Sequence, residues 1–208
     1  MKATDKQYIR SFYEEALDRY GVDYRSLHWT SERSQLARFD VLYDIGIDIG
    51  CSIMDVGCGL GDLYEYVKAR TGVFTYAGYD ISPKMVETAE KRFPETTFMV
   101  RDILESKPDP GSFDYVVASG TFNIRVREHD AFLRDMISVM YSACKKAVGF
   151  NLLERQPYDW YDDGLYFSAT QEEVVSFCST LSSITEVRTG YLPGDFTIFM
   201  YKEKPSKV

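Results

Sequence analysis

The residues best suited to chemistry lie in one glycine-rich run and in two acids that follow it. The run "MDVGCGLGDL", which begins at Met54, brings Asp55, Gly57, Gly59 and Gly61 close together, while Asp80 and Asp102 end the apolar stretches "VFTYAGYD" and "TTFMVRD". A glycine loop between a strand and a helix lets a ligand approach the backbone, and it suits a pyrophosphate, a single phosphate or a molecule with neither. A dinucleotide loop has the spacing G-x-G-x-x-G, but here Asp62 stands in the third-glycine position, where its carboxylate would face a doubly charged pyrophosphate. A P-loop needs Lys-Ser or Lys-Thr after its glycines, and neither follows. The loop therefore favours a ligand without phosphates. Asp80 lies roughly twenty residues on, where an acid in such folds accepts from ribose hydroxyls. Asp102 ends the next strand in the same relative place and can accept from an amine on a base edge, with Ile81, Met85 and Ile103 available to sandwich a flat ring. Ribose, base and no phosphate point to an adenosine derivative.

These residues work together only if strands and helices alternate around them. "CSIMDV", "VFTYAGYD", "TTFMVRD", "FDYVVAS" and "KAVGFNLLE" read as short, apolar, buried strands. Between them, Leu63, Tyr64, Tyr66 and Val67 return at helical spacing, and Ser82 caps a helix that has Pro83 at its first position. His129 to Cys144 and Thr170 to Leu181 complete the later helices, the second with Glu172 and Glu173 in its first turn, where the helix dipole favours negative charge. Two helices should precede the first strand, one capped by Thr4 and ended by Gly21, the other capped by Ser31 and stopped near Gly46. At the far end "ITEVRTGY" and "FTIFMYKE" are joined by "LPGD" with no helix between them, which predicts an antiparallel hairpin. The expectation is an α/β fold: a doubly wound, mostly parallel sheet of seven strands, helices on both faces, closed at one edge by a reversed strand. Residues 1–208 should form one domain, with residues 1–46 as leading helices that cap the cofactor and substrate site.

In order and spacing, "MDVGCGLGDL", "YAGYDISPKMVETAEKRF", "FMVRDILE" and "FDYVVASGTFN" resemble the successive motifs of the class I S-adenosylmethionine-dependent methyltransferases. The resemblance covers roughly residues 51–153 and extends to the terminal hairpin. It implies S-adenosylmethionine as cofactor and S-adenosylhomocysteine as product. It also implies that Asp55 and the backbone of Gly57, Gly59 and Gly61 surround the methionine part, that Asp80 holds the ribose, and that Asp102 and Ile103 meet the adenine. Ser119 and Gly120 would lie beside the transferable methyl. Arg38 reads either as a solvated helix charge or, by the same resemblance, as the arginine that binds the cofactor carboxylate. Trp29 either covers the core or borders the cofactor with its aromatic face. Because a sulfonium already makes the methyl electrophilic, the protein's main tasks are to align a nucleophile and exclude water, so no catalytic residue is assigned.

The acceptor side is open. Tyr8, Phe12 and Trp29 in the leading segment, Phe122 and Asn123 after the fourth strand, and Tyr158 and Trp160 in "ERQPYDWYDDGLYFS" are the candidates to roof it. The first 30 residues are the expected lid, with the later segment as the alternative. No proline follows Asn123, and the net charge is −8, so methylation of DNA bases and phosphate-backbone partners are not expected. A small-molecule acceptor with an O, N or C nucleophile is the default, and the other reading is a non-catalytic module that binds the cofactor or a partner protein. Cys51, Cys58, Cys144 and Cys178 form no CxxC pair, and with only two histidines no metal site is expected. His28 and His129 belong to no recognisable constellation and receive no role. No stretch matches a signal peptide or a membrane span, so a cytoplasmic protein, monomeric or homodimeric, is expected.

Overall fold

The computed structural model describes residues 1–155 and 164–204. The chain opens with α1 (Ala3–Tyr20), a 3-10 turn at Tyr24–Leu27, and α2 (Glu32–Tyr43). It then alternates through β1 (Ser52–Val56), α3 (Asp62–Thr71), β2 (Thr75–Asp80), α4 (Pro83–Arg92), β3 (Thr97–Val100), β4 (Phe113–Ala118), α5 (His129–Ala143) and β5 (Cys144–Glu154). A short β6 (Ser168–Ala169), α6 (Gln171–Cys178), β7 (Ile184–Arg188) and β8 (Asp195–Tyr201) follow. The strands lie in the order β3-β2-β1-β4-β5-β8-β7. All pairs from β3 to β5 are parallel, and β8 runs antiparallel to both β5 and β7. The seven expected strands are therefore present in a doubly wound sheet. β6 adds an eighth, two residues long, beside the end of β5. The reversed strand is internal rather than at the edge, because β7 takes the outer place.

Side-chain alternation along the strands divides the core into two layers. On one face, Met54, Val56, Val116 and Ala118 pack with Met136, Ile137 and Met140 of α5 and Val174 of α6. On the other, Ile53, Tyr115 and Val117 pack with Leu42 of α2, Val67 of α3 and Ala89 of α4. Between β1 and β4 the chain order changes direction, so the loops after these strands diverge and leave a crevice at the carboxyl ends.

Local side-chain caps explain three of the six described α-helix starts. Ser31 accepts from Ser34 N at 3.1 Å while the Ser34 hydroxyl receives the Ser31 N–H, a reciprocal box at the start of α2. Ser82 caps α4, as expected, by accepting from Met85 N, and Thr170, expected as the first residue of a helix reaching Leu181, instead caps α6 in a reciprocal box with Glu173, the helix ending at Cys178. Thr4 does not cap α1: the helix already begins at Ala3, and the Thr4 hydroxyl instead meets Arg127. A tertiary partner has taken the group that local geometry would have used. α2 ends at Tyr43, three residues before the glycine expected to stop it. Among the described residues no helix is long and apolar enough to cross a membrane.

Candidate active site

The crevice is a cavity of about 1190 Å³, counting the solvent at its mouth. Its floor is the glycine loop. Gly57 follows β1 with φ 76°, and a Cβ there would lie 2.5 Å from Thr121 Oγ1, so only glycine allows the loop to fold against the segment after β4. Gly59 also lies on the wall, and its N–H donates to Asp80 Oδ2 at 2.9 Å. Gly61 stands behind the loop as the N-cap of α3, facing Phe93 and Phe98, and it does not line the cavity.

Four carboxylates face the crevice, each in a different state. Asp55, at the end of β1, is 2 % exposed and accepts from Tyr76 Oη at 2.5 Å. Burial, reinforced by the charges of Asp80 and Asp62 and opposed by the Tyr76 hydrogen bond, raises its pKa to about 7. Asp80 closes β2, and its second oxygen accepts from Ser82 N at 2.8 Å. Burial raises its pKa, while the amides of Ser82, Gly59 and Ile81 and the charge of Arg10 pull it down. Asp80 lines the cavity, and a carboxylate held by backbone amides in this way is an acceptor suited to vicinal hydroxyls. Asp102, just past β3, accepts from Leu104 N at 2.8 Å and lies 2.5 Å from Lys6 Nζ of α1. Burial works to raise its pKa, but Lys6 and the Leu104 amide outweigh it and hold the carboxyl below the usual range. Asp62, the first residue of α3, accepts from Gln35 Nε2 at 2.8 Å and Arg92 Nη1 at 2.5 Å. The chain thus places a carboxylate of its own on the cavity wall at the start of α3, where its negative charge disfavours a phosphate.

Ile81, Met85 and Ile103 border the cavity near Asp80 and Asp102, and Ser119, Gly120 and Asn123 border it after β4. Trp29 forms part of the opposite wall, so close to the β4 loop that a Cβ on Gly120 would lie 2.6 Å from its Cη2. Three further residues proposed from sequence do not line the cavity. Arg38 is buried below Trp29 and paired with Asp195. Tyr8 points outward and is 49 % exposed, because it lies one position off the inward helical face that carries Ile9. Phe122 is fully buried in the core against Phe132 and Phe150, where its ring contributes packing rather than a contact surface. Tyr158 and Trp160 lie outside the described residues.

The wall also holds residues that motif reading missed. Tyr13 of α1 lines the cavity one turn after Ile9, an i, i+4 relation visible in the sequence. Its pKa is raised by burial and by nearby Asp80. His28 lines it too, with a left-handed φ of 56° and its ring stacked on Phe12 at 3.9 Å. Burial lowers its pKa, so the imidazole is neutral at pH 7. His129 is instead a core residue, accepting from Val126 N at 3.2 Å and stacked on Phe167.

Comparison with known proteins follows the same lines. Residues 53–142 match the family described as "Methyltransferase domain". Rv1506c of Mycobacterium tuberculosis, named as a methyltransferase without a stated substrate, is 37% identical over 106 residues, 49% of this chain and 63% of that protein. The trans-aconitate 2-methyltransferase of an Enterobacter species is 30% identical over 114 residues, 55% of this chain and 44% of that enzyme. The match thus spans less than two thirds of either relative. The crystal structure of magnesium protoporphyrin IX methyltransferase from Synechocystis with bound S-adenosylhomocysteine superposes with a TM-score of 0.69 at 18% identity, covering 96% of this chain and all of that one. Residues 53–142 thus carry a methyltransferase-domain match, and the chain shares the fold of a methyltransferase along nearly its whole length.

Proposed function

We propose that the protein is an S-adenosylmethionine-dependent methyltransferase acting on a small-molecule acceptor. The observation that carries this reading is the division of labour among the carboxylates on the cavity wall: Asp62 puts a negative charge at the start of α3, while Asp80, oriented by two backbone amides, stands at the end of β2 as an acceptor. A ribose without phosphates suits that pair. The rest of the cavity supports the same ligand. Ile81, Met85 and Ile103 form an apolar slot for adenine next to Asp102, and the glycine loop with Asp55 accepts an ammonium-bearing amino-acid end. The indole N–H of Trp29 is buried with no hydrogen-bond partner, as is expected of a wall that awaits a polar ligand.

When bound, the cofactor would supply an electrophilic methyl. The chain's own contribution is to bind, orient and exclude water, with α1 proposed as the roof because Ile9 and Tyr13 close that side of the cavity. The named relatives act on trans-aconitate and magnesium protoporphyrin, both small molecules, and this supports a small-molecule acceptor for this chain as well.

Two measurements test the reading. S-adenosylhomocysteine should raise the melting temperature, whereas NAD and ATP should not; equal stabilisation by NAD would remove the argument from Asp62. Labelled S-adenosylmethionine incubated with a metabolite extract should transfer label to a low-molecular-weight product. Cofactor binding with no transfer to any extract component or protein would favour the non-catalytic alternative.

A further inference from the structure

Arg38 has no free charge to offer a ligand. Its Nη2 donates to Asp195 Oδ1 at 2.8 Å, its Nε lies 2.6 Å from Asp195 Oδ2, and its Nη1 donates to Ser34 O at 2.8 Å. Both members of the pair are buried, so pulling the guanidinium away would strand a buried carboxylate at the start of β8. What the guanidinium does face is Trp29, with its central carbon 4.5 Å from the ring centroid. The indole is therefore gripped from below by a cation that is itself clamped by β8. On its other side the ring edge bearing Cη2 and Cζ2 abuts Gly120, which tolerates the approach because it has no side chain. Cζ2 lies two bonds from Nε1, so the unpartnered N–H belongs to the part of the ring nearest the loop after β4. A buried donor without an acceptor is costly, and a cation over the ring face draws electron density from the indole and makes its N–H a better donor. The complementary group is an anion.

We propose that the Trp29 indole N–H donates to the carboxylate at the amino-acid end of the cofactor, and that Arg38, clamped by Asp195, is a positioning residue that holds the indole in place. This rests on the cofactor reading above and replaces a direct arginine–carboxylate contact with one made through the ring. It also gives β8 a part in binding, although Asp195 itself does not line the cavity.

The test compares S-adenosylhomocysteine with 5′-methylthioadenosine, which keeps the adenosine and the thioether but lacks the amino-acid end. With only two tryptophans in the chain, a sample labelled with 15N-tryptophan gives two indole signals, assigned by Trp29→Phe. S-adenosylhomocysteine should move the Trp29 indole proton downfield, and methylthioadenosine should leave it in place. Trp29→Phe should weaken S-adenosylhomocysteine on the order of ten- to a hundredfold, the scale of one hydrogen bond to a charged group. It should leave methylthioadenosine within about twofold. Arg38→Met made together with Asp195→Asn removes both buried charges, so neither is stranded, and should show the same selective loss with the indole signal displaced. Equal weakening of the two ligands in Trp29→Phe would mean that the ring serves only as packing and would overturn the assignment. Wild-type binding of S-adenosylhomocysteine by the double variant would overturn the role of Arg38. If the wild-type protein binds methylthioadenosine but gains nothing from the amino-acid end, the inference alone fails. If it binds neither, the cofactor reading fails with it.

Discussion

Asp80 and Asp55 stand about one strand apart, yet they should answer different experiments. Asp80 is oriented by the Gly59 and Ser82 amides and lines the cavity, so Asp80→Ala should weaken S-adenosylhomocysteine by about 1.5–3 kcal/mol in calorimetry. Unchanged affinity would remove Asp80 from the ribose. Asp55 is a question of protons. Its pKa of about 7 lies well above the ordinary carboxylate value, so between about pH 4 and 7 the folded state keeps a proton that the unfolded chain releases. The associated stability is fully present below about pH 4 and is lost as pH rises through 7, by up to a few kcal/mol. Asp55→Asn preserves an acceptor for Tyr76 and should flatten that part of the profile. Urea unfolding at pH 5 and pH 8 checks this, and a variant with the wild-type slope would place the titration elsewhere. Both acids were visible in the sequence by their position at strand ends. The partners that set their states were not: Tyr76 reaches Asp55 from the neighbouring strand, and nothing local to Asp55 announces it.

At the scale of elements, legibility followed the range of the interaction. Caps made within one turn could be read directly, as at Ser31 and Ser82. The 3-10 turn at Tyr24–Leu27 could not, because it is held by Asp23 accepting from Arg25 and by Ser26 donating to Gly21 O rather than by a periodic apolar face. Arg38 is the sharpest case. Its distance from the glycine loop suggested a ligand, but Asp195 lies at the far end of the chain and β8 alone brings it near. α2 carries Gln35, Arg38 and Phe39 on one side, so its first turn matters to the cavity as well as to the helix. Ser31→Ala removes one half of the reciprocal box and should lower stability by about 1 kcal/mol in chemical denaturation. A loss below a few tenths would mean that the tertiary contacts of α2 fix its start without the cap.

Across the whole molecule, the sheet supplies the fixed side of the cavity and α1 the side made of side-chain contacts. Arg10 donates to Ile81 O at 2.6 Å, Ser82 Oγ to Glu14 at 2.7 Å, and Lys6 meets Asp102 and Glu105. Arg127 and Glu128, after β4, bind Asp5 and Lys2. Helix α1 is thus tied to the loops after three strands. If it roofs the cofactor, S-adenosylhomocysteine should slow amide hydrogen exchange within residues 1–30; identical exchange in both states would assign the roof to another segment. The fastening has a kinetic consequence. The ties at Lys2–Glu128 and Lys84–Asp18 are open to solvent, whereas Lys6–Asp102 is enclosed, so added salt screens the outer fastenings and leaves the inner one. Residence time would then become a property of the medium. Cofactor release followed by stopped flow should quicken as salt rises from 0.05 to 0.5 M, roughly across the range where the screening length shrinks below the reach of such pairs. Lys6→Met, by removing the inner fastening, should make release fast at every ionic strength. The sheet beneath, held by apolar burial, should melt at nearly the same temperature throughout.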